Sequence, residues 1–189
     1  MRLGIFGGSF DPPHLGHLLP LIDAAESLGL DQVRFVPAAS QPFKAGRASA
    51  SPEHRFAMTE RLVAGVPGFG ASRAEIDRAG LSYTVDTLAA LQAEHPGTEL
   101  TLLLGADAFA LFGQWKDPDR IRGMARIAVL ARGDDAGAGS SLPGIELLRT
   151  RRVDISSTEL RARVADGRTI RGFVPDAVAD YIAAHRLYR

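Results

Sequence analysis

The chain has 189 residues, 46% hydrophobic and 23% charged, which is ordinary for a globular protein and excludes a disordered tail, a collagen and a disulfide scaffold. It contains no Cys, so disulfides, thiolate chemistry and cysteine-held metals are excluded as well. Lys+Arg and Asp+Glu each number 22, and a net charge of zero argues against a nucleic-acid coat, so any phosphate binding must come from a local cluster.

Arg2–Phe6 is a short apolar run ending in Gly7-Gly8 and predicts a buried strand. Leu15, Leu18, Leu19, Ile22, Ala25 and Leu28 follow at helical spacing, with Gly29 where a glycine cap belongs and Pro20 as a misfit that costs a hydrogen bond and threatens a kink. Gln32–Pro37 predicts a second strand, Ala38–Ser51 a long loop, and Pro52–Ala64 a helix. Phe69–Ser72 is a weak third strand, and Thr84–His95 has helical periodicity stopped by Pro96-Gly97. Leu100–Leu104 is continuously apolar, as suits a sheet covered on both faces. Ile127–Ala131 is the next strand, Arg132–Pro143 a Gly/Ser/Asp-rich mobile loop, and Glu146–Leu148 an edge strand. Ser157–Val164 and Pro175–His185 predict closing helices.

Strands alternating with helices imply crossover units and a mostly parallel, doubly wound α/β sheet, read as one domain over 1–189 with a helical part from about 155. Ligands of such sheets bind beyond the carboxyl ends of the strands. No apolar stretch is long enough to cross a bilayer, and the N-terminus lacks the features of a secretory signal, so the expectation is a soluble, cytoplasmic protein with no membrane partner. Lys44 and Lys116 are the only lysines, a bias that genome composition explains.

The string from Gly7 to His17 (GGSFDPPHLGH) follows the first strand and opens a helix. Two glycines let backbone amides approach a ligand closely, and a helix N-terminus suits phosphate. His14 and His17 share one face of the first turn, with Gly16 between them leaving room for a bulky group. A plain strand-to-helix turn with surface histidines is the alternative. A zinc site would want a third ligand that the sequence does not supply, so no metal ligands are assigned.

At this string the chain resembles the HxGH nucleotidyltransferase superfamily and, within it, the bacterial nicotinate mononucleotide adenylyltransferases. Ile155-Ser156-Ser157-Thr158-Glu159-Leu160-Arg161 is similar to the family's ISSTxIR signature, with Leu160 a mild departure. Its hydroxyls, amides and guanidinium could grip an anion, and Ser156 with Glu159 equally fits a capping box. Gly80–Leu88 resembles the GxSYTxDTL segment, whose turn holds the nicotinate carboxylate in the family; an N-cap with a packed Tyr is the bland reading. Gly105-Ala106-Asp107 followed by Trp115-Lys116 is similar to the GxD...WK pattern. There Asp107 can meet sugar hydroxyls or sit near a cation, and Trp115 can stack on a pyridine or pack in the core. Pro42-Phe43-Lys44 stands where the family reads PPHK, which leaves any contact at position 43 in doubt and Lys44 as either a phosphate ligand or a solvated lysine.

The resemblance implies transfer of AMP from ATP to nicotinate mononucleotide, giving deamido-NAD and pyrophosphate. It assigns catalytic roles to His14, His17 and Arg161, and ATP contacts to Gly7, Gly8, Ser9, Phe10, Gly16, Gly105, Asp107, Ile155, Ser156, Ser157 and Thr158. Lys44, Ser82, Tyr83, Thr84 and Trp115 would hold the acceptor, and Mg²⁺ would ride on the ATP phosphates. The partners implied are these small molecules, with no nucleic acid and with a homo-oligomer left open. Two rivals remain: the same chemistry on nicotinamide mononucleotide or another phosphate acceptor, and a catalytically silent nucleotide-binding regulatory domain. The motifs span about 150 residues, yet all follow predicted strands, so the fold rule sends them to one crevice.

Overall fold

The computed structural model describes residues 1–39, 50–78, 80–132 and 144–189. Lys44 with its neighbours Pro42 and Phe43, and the stretch 133–143, lie outside the described residues.

Six strands form one sheet in the order β3-β2-β1-β4-β5-β6. They are β1 (Arg2–Gly8), β2 (Gln32–Pro37), β3 (Phe69–Ala71), β4 (Glu99–Gly105), β5 (Arg126–Arg132) and β6 (Ile145–Thr150). Every neighbouring pair is parallel. The chain winds outward from β1 in one direction and from β4 in the other. A crevice therefore opens between their carboxyl ends, at Gly7-Gly8 and Gly105.

Eight helices accompany the strands: α1 (Leu15–Leu28), α2 (Pro52–Val63), α3 (Ala74–Arg78), α4 (Thr84–Glu94), α5 (Ala106–Ala110), α6 (Pro118–Met124), α7 (Ser157–Ala165) and α8 (Asp176–Ala184) among the described residues. Helix α1 runs unbroken through Pro20. The missing proline N–H removes only the bond to the Gly16 carbonyl, early in the helix. Gly29 ends α1 in the left-handed region at φ 58°, and Leu30 N–H returns to the Ala25 carbonyl at 2.9 Å, closing a Schellman turn.

The continuous apolar run in β4 follows from two covered faces. Leu103 belongs to the core on one face, with Leu18, Leu21 and Met58 of α1 and α2 and Leu160, Val178 and Ile182 of α7 and α8. Leu102 and Leu104 point the other way, into Val85, Leu88 and Leu91 of α4 and Ile121 of α6. Among the described residues no helix is long and apolar enough to cross a membrane.

An ion pair fixes the approach to α7. The Asp23 carboxylate on α1 accepts from the Arg151 main-chain N–H at 2.9 Å and from its guanidinium at 2.6 Å. Hydrogen bonds from Arg151 hold the Asp23 carboxyl below its usual pKa. A depressed carboxylate contributes stability above its unfolded pKa and loses it as pH falls through the folded one. Asp23→Asn should therefore lower Tm by a few degrees at most at neutral pH, and the gap to the parent should close in acid. Melting curves at both pH values check this; a gap that persists in acid would show that the charge is irrelevant.

Candidate active site

Gly7 and Gly8 end β1 for different reasons. A Cβ on Gly7 would meet no atom within 4 Å, so the strand end lies open to close approach. One on Gly8 would stand 2.8 Å from the Phe10 ring, so Gly8 serves the packing of the turn. Phe10 is 1% exposed, adopts φ 50°, and packs its ring 5.7 Å from Phe6 and 5.4 Å from Phe35. The resemblance assigned Phe10 to ATP; its ring is buried in the core.

That ring is the floor for His17, which meets it edge-on at 5.2 Å. His14 is the N-cap of α1 rather than a helical residue, and its buried ring stacks on His17 with centroids 3.7 Å apart. The His14 main-chain N–H donates to His17 Nδ1 at 3.3 Å. With Nδ1 the acceptor, the proton of a neutral His17 sits on Nε2, on the opposite side of the ring. Gly16 does not leave room for a ligand. A Cβ there would lie 2.9 Å from His14 Nδ1 and 3.3 Å from the Val153 carbonyl, so the protein itself fills that space.

The signature at the start of α7 docks onto this turn. Ser157 Oγ donates to the Pro12 carbonyl at 2.8 Å, and Arg161 Nη1 donates to the Asp11 carbonyl at 2.7 Å. Arg161 Nη2 also reaches Thr158 Oγ1 at 3.3 Å. Ser156 is the N-cap and accepts from Glu159 N–H at 3.1 Å, while Ile155 packs half-buried against the core. Two motifs about 150 residues apart are thus bonded to each other. Part of their polar capacity is spent on that contact.

On the other side of the crevice, Ser82 Oγ accepts from Ala39 N–H at 3.0 Å at the exit of β2 and bonds the buried Glu75 carboxyl. Thr87 donates to the same carboxyl at 2.7 Å, and burial pushes the Glu75 pKa up. Tyr83 caps α4, whose first residue is Thr84. Lys116 lies 4.7 Å over the Tyr83 ring and 3.1 Å from Asp86, tying the Trp115-Lys116 turn to α4. Trp115 is half-buried, 5.5 Å from Phe112. Gly105 has open space where a Cβ would stand, and Asp107 is exposed in the first turn of α5.

A sequence profile described as cytidylyltransferase-like matches residues 5–163. A protein of Gemmatimonas aurantiaca named "Probable nicotinate-nucleotide adenylyltransferase" is 50% identical, covering 100% of this chain and 93% of its own. A protein of the same name from Thermus thermophilus is 47% identical with 100% of both chains covered. The chain belongs to the nicotinate-nucleotide adenylyltransferase family. A solved Plasmodium falciparum nicotinic acid mononucleotide adenylyltransferase, complexed with NaAD, shares the fold at a TM-score of 0.80 and 20% identity, covering 99% of this chain and 97% of that one.

Three polar residues of this family member escaped the sequence reading. Arg55 on α2 is 3% exposed, and its guanidinium donates to Ser9, Ala38 and Ala39 carbonyls at 2.7, 2.6 and 3.2 Å. Burial pushes its pKa down, and the nearby Asp11 carboxylate opposes that. Its position was legible in principle: Arg55, Met58, Thr59 and Leu62 repeat at helical spacing and are all buried. Glu75 lies on a five-residue helix too short to show a period, and Tyr188 bonds a residue 177 positions away. Arg55 and Ser82 together make a continuous path, Ser9–Arg55–Ala39–Ser82, from the histidine turn to the Tyr83 turn.

Proposed function

We infer that this enzyme transfers the AMP group of MgATP to nicotinate mononucleotide, releasing pyrophosphate and forming deamido-NAD. The observation that carries the reading is the direct bonding of the α7 signature to the histidine turn, with the Tyr83 and Trp115 turns across the same crevice. It sits in a chain half identical to a protein named for that activity.

An oxygen of the acceptor phosphate attacks the α-phosphorus, and the bond from that phosphorus to the bridging oxygen of pyrophosphate breaks. The attacking oxygen is already ionised at neutral pH, so no general base is required. The protein contributes placement and charge stabilisation. His17 Nε2–H donates to the α-phosphate, and His14 holds the His17 ring at its angle. Gly7, Gly8 and Ser9 bring backbone amides to the phosphates. Arg161, with the amides of Ser157 and Thr158 at the start of α7, takes the charge that grows on the leaving pyrophosphate. Gly105 and Asp107 border the nucleoside. Tyr83 and Trp115 flank the pyridine, and the amides of Tyr83 and Thr84 receive its carboxylate. Mg²⁺ enters as part of the ATP substrate, held by triphosphate oxygens.

Pyrophosphate release from MgATP tests the reading, with nicotinate mononucleotide, nicotinamide mononucleotide and phosphopantetheine as parallel acceptors. A strong preference for the nicotinate form is expected. Turnover chiefly with another acceptor would overturn the pyridine assignment, and ATP binding without turnover would return the silent-domain reading.

A further inference from the structure

Beneath the crevice lies a polar cluster centred on Tyr188, Asp11 and Arg55, three side chains that the reaction just described does not use. The turn from Ser9 to Pro13 connects β1 to the histidines, and side chains from three separate elements hold it. Arg55 of α2 holds the Ser9 carbonyl, and Arg161 and Ser157 of α7 hold those of Asp11 and Pro12. The Asp11 carboxylate is buried at 3% exposure and accepts from Tyr188 Oη at 2.7 Å. Arg55 also donates to the Ala50 carbonyl at 3.3 Å and faces the same carboxylate.

The backbone is strained at both ends of the Tyr188–Asp11 bond. Phe10, just before Asp11, has φ 50°, while Arg186 and Tyr188 have φ 52° and 65°. None of the three is glycine, so each carries a Cβ in a region that disfavours it. Buried charged and polar groups add little stability over apolar packing of the same volume. What this network does supply is a defined place for the turn.

We propose that Tyr188, Asp11 and Arg55 are positioning residues for adenylyl transfer, a strut that runs from the segment after α8 through the turn to α2 and sets the stacked pair His14–His17 against the phosphates. The proposal rests on the function inferred above. The strut acts through the histidines. Its signature is therefore a change in kcat and in the histidine rings, with little change in substrate affinity or fold.

Tyr188→Phe removes the hydroxyl and keeps the ring. In this variant kcat should fall about ten-fold, part of the ~10²-fold that a misplacement of about 1 Å costs, with KM for both substrates within about two-fold of the parent. Side-chain ¹⁵N spectra of the ligand-free protein should show shifted His14 and His17 signals, with Tm lowered by a few degrees because the buried Asp11 carboxylate loses a donor, and the protein still fully folded at the assay temperature. Arg55→Lys keeps the charge but not the fork, and should move kcat and the ring signals the same way. Parent-like kcat, unmoved ring signals, or a kcat loss fully explained by a smaller folded fraction would each overturn the proposal. If the parent enzyme released no pyrophosphate with nicotinate mononucleotide, the assigned function would fall. The ring signals would still decide the strut, supporting it if they move and overturning it if they do not.

Discussion

His17→Ala is expected to lower kcat by about 10²-fold or more while leaving the fold intact. The ring stacks on His14 and rests edge-on against Phe10, and its Nδ1 is occupied by the His14 main-chain N–H. The ring's orientation and tautomer are therefore set before substrate arrives, and Nε2–H is the donor that the proposed site offers to the α-phosphate. As the acceptor oxygen attacks, negative charge gathers on the α-phosphate and on the departing oxygen. A preorganised donor gains most at that moment, because it needs no reorganisation. ATP in the ground state is held by many contacts, so its KM should change far less than kcat. His17 is only half-buried, so Tm should drop modestly. His17→Asn, which can still present an N–H, should recover part of the rate. A folded alanine variant with near-parental kcat would remove His17 from the chemistry.

The parts legible from the residues were those with a local signature. Gln32–Pro37 is a strand with the bounds its composition suggests, and α1 stops at Gly29 because only glycine enters the left-handed region there cheaply. Edge strand β6 extends beyond Glu146–Leu148, to Ile145 at one end and to the polar Arg149 and Thr150 at the other, because pairing to β5 holds these residues in place. Helices α3, α5 and α6 are five to seven residues long, too short for a 3.6-residue period to repeat. The site shows the same divide. The histidine turn, the Ser156–Arg161 segment and the Tyr83 turn could be read as motifs. What could not be read is how much of their polar capacity the protein spends internally. Ser157 and Arg161 are bonded to the Pro12 and Asp11 carbonyls, and Gly16 makes space for His14. Such choices depend on which groups meet across the fold, and one sequence does not encode that locally.

Trp115→Ala is expected to raise KM for nicotinate mononucleotide by about 5- to 150-fold, the equivalent of about 1–3 kcal/mol for one aromatic-on-base stack. The geometry separates this role from core packing. Trp115 leans on Phe112 at a 55° tilt and stays half-buried, whereas Phe112 itself is 2% exposed. The next residue, Lys116, reaches back over Tyr83, so the two aromatic residues are fixed relative to each other by a cation that belongs to neither ring. A stacked pyridine would use the exposed part of Trp115 without disturbing its Phe112 contact. The loss should then fall on one substrate, with KM for ATP within about two-fold of the parent, since the ring contact of Trp115 is to Phe112 and not to the histidine turn. Trp115→Phe should restore most of the affinity, because a smaller ring still stacks. Equal loss of affinity for ATP and acceptor, accompanied by a lower Tm, would mean that the indole holds up the crevice wall and not the ring bound against it.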